Sequence, residues 1–391
     1  MRAALCSVLL IAGVLPLAPA AAAQEPGQQP YELVRELQKY QDDAALKGTR
    51  ARKEQSERIA RVATQLTQFG PQAWSDPRNV RAAVIYVLSG GDPRILRNLT
   101  ASGKELGIDE RLVKGALAYS ERRDAEAAEQ FETIDVEALD RTVGGHVALV
   151  RALLIIKDDQ AKAANLLDRA RVISPGTIVE ESALRRETIL VAKMGQLDRF
   201  DALSAQYLRR FGSSIFVGTF ARQFAQEIVA HKYADDEKRL AKLDAALREL
   251  PDVPRIEASL AIAEEAIAIA NVELVRFAGR IAAIDPKQYP QEATRMRLFE
   301  AAALIVTDNF DEASRALWSI DRSKLSAHEE ALLDAALDVA KDISRAPSLA
   351  QAAAATETAD KPAEAGSTPP VVSSAQQAIA RVDQLLNEGA Q

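Results

Sequence analysis

"DAEAAEQFETID" occupies residues 124–135 and "FDEASRALWSID" occupies residues 310–321. Laid over each other, they share Glu126/Glu312, Ala127/Ala313, Ile134/Ile320 and Asp135/Asp321, and Phe131 falls on Leu317. Between the two lines, apolar residues recur at three- and four-residue spacing, the signature of helices with one buried face. Polar breaks interrupt that pattern at Arg123-Asp124, Asp158-Asp159, Gly195-Gln196, Ala234-Asp235, Asn271 and Asp308-Asn309. The steps between breaks are about 35 to 39 residues, the period of two-helix repeats. The two quoted lines are therefore one unit of an array and another unit five steps later. The sequence predicts an all-α, tetratricopeptide-like α-solenoid of helical hairpins over residues 109–345. An irregular all-helical domain with evenly spaced breaks is the alternative.

The residue types suit that architecture. Ala127, Ala163 and Ala313 stand early in second helices, where a methyl group permits close approach of a neighbour. Phe131, Leu167 and Leu317 follow four residues later, on the same face one turn on, and should fill the space between repeats. Ile134, Ala170 and Ile320 continue the face, and Pro175 and Pro286 stand where a helix must stop. Gly115, Leu154, Ala301 and Leu304 also fit the tetratricopeptide-repeat pattern in these units. Units between about 180 and 290 depart from the repeat pattern.

The two ends read differently. Residues 24–108 are expected to form an N-terminal helical cap, with one long polar helix or a hairpin broken near Gly48. Leu33, Val34, Leu37 and Tyr40 make its first apolar stripe. Asp76-Pro77 and Asp92-Pro93 each place a capping carboxylate before a proline suited to the first helical position. "AAVIYVL" (82–88) is apolar on nearly all sides and should be buried, and Gly90 should end its helix. Residues 346–374, rich in Ala, Ser, Thr and Pro, read as a flexible linker. Residues 375–391 read as a short amphipathic helix, with Ile379, Val382, Leu385 and Leu386 on one face, or as a frayed tail.

Residues 1–23 read as a secretory signal peptide. Arg2 supplies the positive end, Leu5 to Leu17 the apolar stretch, and Ala21-Ala22-Ala23 the small residues before a cut. A retained N-terminal anchor is the alternative. Removal of this segment takes away Cys6, the only cysteine, so disulfides and thiolate chemistry are excluded from the mature form. The net charge moves from −7 to −8 with the loss of Arg2. That mild acidity disfavours nucleic acid and anionic lipid as main partners. No later stretch approaches a transmembrane run, so no membrane insertion is expected after cleavage. The periplasm is the expected location.

The chain offers little to build an enzyme from, and no cofactor or metal is expected. His146, His231 and His328 lack paired metal-ligand spacing. "VGGH" (143–146) and "SGGD" (89–92) read as ordinary helix-end glycines. "VEESALRRE" (179–187) gives a superficial match to the catalytic glutamate of lytic transglycosylases at Glu181-Ser182, but the flanking pattern is missing. Glu180 and Glu181 read better as a solvated helix start, where carboxylates suit the positive end of the helix dipole. Arg185-Arg186 follows on that helix, and Arg209-Arg210 ends the next. Arginine near a helix C-terminus compensates the dipole. The alternative reading makes Arg185, Arg186, Arg209 and Arg210 a partner-binding surface, because arginine is favoured at interfaces.

Four stretches together resemble the MotC family of periplasmic motility proteins of α-proteobacterial flagellar systems. They are "PYELVRELQKYQDDAALKG" (30–48), "WSDPRNVRAAVIYVLSGGDPRILR" (74–97), "IVEESALRRE" (178–187) and "YLRRFGSSIFVGTFARQF" (207–224). The resemblance spans most of residues 24–345. It implies a protein needed for flagellar rotation that acts on MotB, the stator subunit with the peptidoglycan-binding domain, as a folding or stabilising partner. It assigns no functional residues. A general envelope-assembly scaffold unrelated to motility is the competing reading.

Overall fold

In the computed structural model, residues 28–48 and 52–345 are described. The expected signal peptide, linker 346–374 and closing helix 375–391 lie outside the described residues. Among the described residues there are 17 α-helices, three short 3₁₀ turns and no strand. Helices α1 (Pro30–Lys47) and α2 (Arg52–Leu66) precede a shorter hairpin, α3 (Pro77–Leu88) and α4 (Arg94–Ala101). Six hairpins follow: α5 (Glu110–Ser120) with α6 (Asp124–Glu132), α7 (Arg141–Ile155) with α8 (Gln160–Ile173), α9 (Ile178–Lys193) with α10 (Leu197–Phe211), α11 (Val217–Ala230) with α12 (Glu237–Arg248), α13 (Asp252–Ala268) with α14 (Val272–Ala282), and α15 (Pro290–Leu304) with α16 (Phe310–Trp318). Helix α17 (Ala327–Arg345) closes the array.

All six polar breaks of the sequence fall in the turns between the two helices of a hairpin. The chemistry of helix starts explains why. The first backbone N–H groups of a helix lack internal partners. Asp159 accepts a hydrogen bond from the Lys162 amide at 2.9 Å, Asp236 from Arg239 at 3.0 Å and Asn271 from Leu274 at 3.0 Å. Asp76 and Asp92 do the same for the amides of Arg78 and Arg94. First helices then stack on one another: α7 on α9, α9 on α11, α11 on α13, α13 on α15 and α15 on α17. This is a solenoid, and one continuous core runs along it.

The repeat positions perform as their sizes suggest. Ala127, Ala163 and Ala313 are buried, as are Phe131, Leu167 and Leu317 one turn on. Gly115 of α5 faces the Phe131 ring so closely that an added Cβ would sit 2.5 Å from a ring carbon. Glycine here makes room for an aromatic ring. In the third hairpin the order of sizes is reversed: Phe200 takes the alanine place and Ser204 the place of the large residue, and both are buried. Phe200 then packs with its ring tilted against Phe224 of α11, 5.6 Å between ring centres, in a row that continues through Phe220 to Tyr207.

The fourth hairpin is open. Helix α12 packs on α10, α13 and α14 instead of closely along α11, and α11 meets α13 directly. Only Leu243 and Leu247 of α12 are buried. The turn before it needs left-handed backbone at Lys232, with φ of 51°. The segment "AAVIYVL" lies in α3 with residues 82–87 buried, and Gly90, with φ of 91°, ends that helix. Gly144 and Gly145 do not fit the helix-end reading. They lie inside α7, where a Cβ on Gly145 would fall 1.9 Å from the Ser174 hydroxyl and one on Gly144 2.6 Å from the Val136 carbonyl. Their role is close approach between α7 and the segments on either side.

Gly115→Val should lower unfolding stability by about 1–3 kcal/mol through overpacking against Phe131. Adding Phe131→Leu to that variant should recover more than half of the loss. Urea unfolding of the two variants checks both outcomes.

Candidate functional site

Helix α1 begins by capping itself. Gln29 and Glu32 form a reciprocal capping box, with the Gln29 amide donating to the Glu32 carboxylate at 2.8 Å. Its apolar stripe repeats at helical spacing, so Leu33, Val34, Leu37, Tyr40, Ala44 and Ala45 come to one side and are buried. That stripe does not pack on a hairpin partner alone. It lies on α3, α9 and α10, helices far apart in sequence. Eighteen residues of helix extend about 27 Å, so α1 is long enough to tie several successive repeats together.

Polar contacts fix both ends of this strap. At its start, the Tyr31 amide donates to Asn79 Oδ1 at 3.1 Å, and Asn79 Nδ2 donates to Ala73 O and Gln29 Oε1 at 2.6 and 3.2 Å. Asn79 is fully buried at the first turn of α3. Near its end, Asp42 Oδ1 accepts from the Ile178 amide at 2.8 Å, so α1 lends a carboxylate to the N-terminus of α9. The last turn passes beside the α10–α11 connection, where the Ile215 amide reaches Ala44 O at 3.4 Å. Gly48 then turns the chain with φ of 61°, and a Cβ there would fall 1.9 Å from the Ser213 carbonyl. The long helix is thus broken at Gly48, the second of the two forms expected for this region.

A cleft of about 350 Å³ runs beneath one flank of α1. Arg35, Lys39, Asp42 and Asp43 line it from α1, Arg141 and His146 from α7, and Ile173 to Val179 from the turn into α9. Burial pushes the Asp42 carboxyl up to about 6, against the opposing pull of the Ile178 amide. Burial pushes His146 down to about 4. Its Nδ1 lies 2.9 Å from Thr142 O and its Nε2 3.3 Å from Ser89 Oγ, so the neutral ring ties α7 to the end of α3. His231 lies 3.5 Å from Glu227 and His328 3.5 Å from Glu264. No group of acids, histidines and cysteines among the described residues is arranged to hold a metal ion.

Beside α1's contact with α9 lies a buried ionic network. Glu180, Glu181 and Glu187 are at most 3% exposed. The reading of Glu180 and Glu181 as a solvated helix start is therefore corrected. Glu181 accepts from Tyr207 Oη at 2.7 Å and Arg185 Nε at 2.9 Å. Glu180 accepts from Arg210 Nη2 at 2.8 Å and from the Gly176 amide. Glu187 accepts from Arg171 Nε at 3.0 Å and from Arg199. Burial pushes Glu187 upward, and the two guanidinium groups pull it back. A buried carboxylate persists only when charge and hydrogen bonds replace its water. Here the replacements come from α8, α9 and α10, so the three helices are locked together.

The four arginines singled out in sequence divide accordingly. Arg185 is largely buried between Glu181 and the Phe216 ring, 5.2 Å from the ring centre. Arg186 turns back to its own helix, with Nη1 3.2 Å from Ser182 O. Arg210 bonds Glu180 yet keeps much of its side chain in solvent, and Arg209 is exposed beside it. Asp42, Asn79 and Glu187 were not singled out by the sequence reading. Asp42 and Asn79 owe their roles to a helix distant in the chain and Glu187 to the two helices that flank its own, and only the buried environment reveals them.

The chain matches the family model described as "Chemotaxis protein MotC" over residues 1–391. It is also 29% identical over 336 residues to a protein of Rhizobium meliloti (strain 1021) named "Chemotaxis protein MotC". That match covers 85% of this chain and 77% of the relative. No solved structure matches the chain.

Glu181→Ala should cost about 3–5 kcal/mol in unfolding stability, because Arg185 and Tyr207 Oη are left buried without their acceptor. Asp42 tests the strap. Its folded-state pKa lies above the unfolded value, so its contribution is full below pH 4 and is lost as pH rises through about 6. Asp42→Asn keeps an acceptor for Ile178 and removes that loss. The melting temperature of Asp42→Asn minus that of the wild type should therefore increase between pH 4 and pH 7. His146 slopes the other way in both proteins, losing stability as pH falls from 6.5 through 4, and cancels in the difference.

Proposed function

This chain belongs to the MotC family of chemotaxis proteins, and from that premise we propose that it is a periplasmic scaffold for flagellar rotation. In this reading it binds the periplasmic region of MotB and helps it fold or stay stable. The observation that carries the proposal is the family match over the whole chain, taken together with the architecture. A solenoid presents an extended surface built from many short helices, suited to holding another protein. The role asks for no bond-making step, cofactor or metal. Among the described residues, no helix is long and apolar enough to cross a membrane. In this reading the partner is engaged outside the bilayer, after removal of residues 1–23.

Arg209 and Arg210 are the contact residues in this proposal. Both end α10 on the surface, and Arg210 is held by Glu180 of the buried network. Arg185 and Arg186 support the same surface from below. Arg185 orders Phe216 and Glu181, and Arg186 pins the first half of α9. An exposed arginine pair on a fixed platform would select an acidic or carbonyl-rich segment of the partner.

A strain lacking this chain should fail to swim while still assembling flagellar filaments, and a strain that swims normally would remove the motility role. Epitope-tagged protein should be released from cells by osmotic shock, as a periplasmic location requires. In pull-downs, Arg209→Glu should weaken retention of the MotB periplasmic region by roughly fivefold, about 1 kcal/mol. Unchanged retention would remove Arg209 from the interface.

A further inference from the structure

The cleft beneath α1 gathers positive charge in a chain that is acidic overall, with a net charge of −7. Three cations line it: Arg35 and Lys39 of α1, and Arg141 at the start of α7. All three are exposed, and none forms an ion pair among the described residues. The acids on the same cleft are already engaged. Asp42 accepts from the Ile178 amide, and Asp43 accepts from Lys47 Nζ at 2.8 Å.

Arg141 is the most informative of the three. Helices α3, α4 and α5 also carry an arginine in the first turn, and each turns back on the aspartate two residues before it: Arg78 on Asp76, Arg94 on Asp92 and Arg111 on Asp109. Helix α7 opens Asp140-Arg141-Thr142, and there the amide and hydroxyl of Thr142 take Asp140. Arg141 is left beside the positive end of the α7 dipole, a place that disfavours a cation unless an anion joins it.

The wall next to Arg141 holds an unused donor. Ser174 is only 8% exposed. Its amide donates to Ala170 O and its carbonyl accepts from Thr177, yet its hydroxyl has no partner among the described residues. That hydroxyl lies against Gly145, one turn along α7 from Arg141 and on the same face. A hydroxyl short of a partner at a cleft is a group that a ligand satisfies. On the α1 side, the Arg35 guanidinium lies over the Tyr31 ring at 5.5 Å. Stacking uses its face and leaves its edge of N–H donors free.

Spacing selects the kind of anion. Arg35 and Lys39 are one turn apart, about 6 Å along α1. Side chains two residues apart in an extended chain lie on one side at about 6.6 Å, so a pair of carboxylates spaced in that way matches the two cations. The side chain between them points away from α1, toward the wall that contains Ile173 and Ile178. A compact anion meets one of the two α1 cations at a time, whereas an extended acidic chain meets both.

We propose that this cleft is a docking site for an extended segment of a protein partner in which acidic and apolar residues alternate. Arg35 and Lys39 take successive carboxylates, Ile173 and Ile178 take the apolar side chain between them, and Arg141 with Ser174 supplies donors from the opposite wall. The site is separate from Arg209 and Arg210, and it does not depend on which protein supplies the segment.

The test uses the full chain and a short fluorescein-labelled peptide of alternating Glu and Leu, followed by fluorescence anisotropy. The peptide should bind at least about tenfold more tightly than its counterpart with Gln in place of Glu, since charge-assisted bonds are lost in the counterpart. Lys39→Gln and Arg141→Gln should each weaken binding about fivefold, and Ser174→Ala about threefold. Lys39 and Arg141 are exposed and outside the core, so both variants should melt with the wild type. Arg209→Gln should leave this binding unchanged, which separates the cleft from the surface at the end of α10. Equal binding of the Gln peptide, or wild-type binding by Lys39→Gln and Arg141→Gln, would overturn the inference. So would an Arg209→Gln loss as large as that of Arg141→Gln, which marks general attraction between charges. Displacement of the peptide by free glutamate at the peptide's own concentration would overturn the polypeptide as the occupant and leave a small-anion site.

Discussion

The architecture depends on volume complementarity between neighbouring helices that cannot bury their own faces. A helix of nine residues such as α6 or α16 is too short to be stable alone in water. Each becomes stable because one small residue admits its neighbour and one large residue fills what remains. Gly115 against Phe131 is the clearest instance, since the ring occupies the space that a Cβ would need. Chemically modest residues, alanine and leucine above all, suffice when every contact is shared between two hairpins. Packing, more than any motif, sets the spacing of the array.

Polar burial does a different task in the middle of the solenoid. Eleven of the 16 residues of α9 are buried, and Glu180, Glu181 and Glu187 are among them. A wholly apolar α9 would pack as tightly but would tolerate rotation about its axis. Carboxylates that must meet Arg171, Arg185, Arg199, Arg210 and Tyr207 allow a single orientation. Directional bonds thus fix the helix on which α1 rests. The aromatic row from Phe200 to Tyr207 fixes the next interface by shape.

Much of this was legible in the sequence, for identifiable reasons. Hairpin turns were visible because Asp159, Asp236 and Asn271 must be polar to receive amide protons, wherever the helices go. The outer repeats were visible because Ala127-Phe131, Ala163-Leu167 and Ala313-Leu317 keep one order of sizes. The third hairpin escaped because Phe200-Ser204 reverses that order while filling similar volume. Glu180 and Glu181 were misread as solvated because the side chains that neutralise them come partly from α10, 26 to 30 residues on. A carboxylate at a helix start looks the same in sequence whether water or an arginine faces it. Gly144 and Gly145 were misread likewise, because the side chains that need their space belong to other segments.

The placement of α1 follows from these two kinds of interaction, and it explains why the N-terminal region is more than an end cap. A capping helix needs to cover only the first repeat, which α3 and α4 already do against α5. α1 instead passes on to α9 and α10, where the rigid ionic core gives it a fixed bed. Its attachments are both polar and apolar. They include an amide clasp at Asn79, one carboxylate on a helix N-terminus, and a stripe of six apolar side chains. The strap thus ties the start of the array to its rigid middle, so α3, α9 and α10 keep one placement relative to one another.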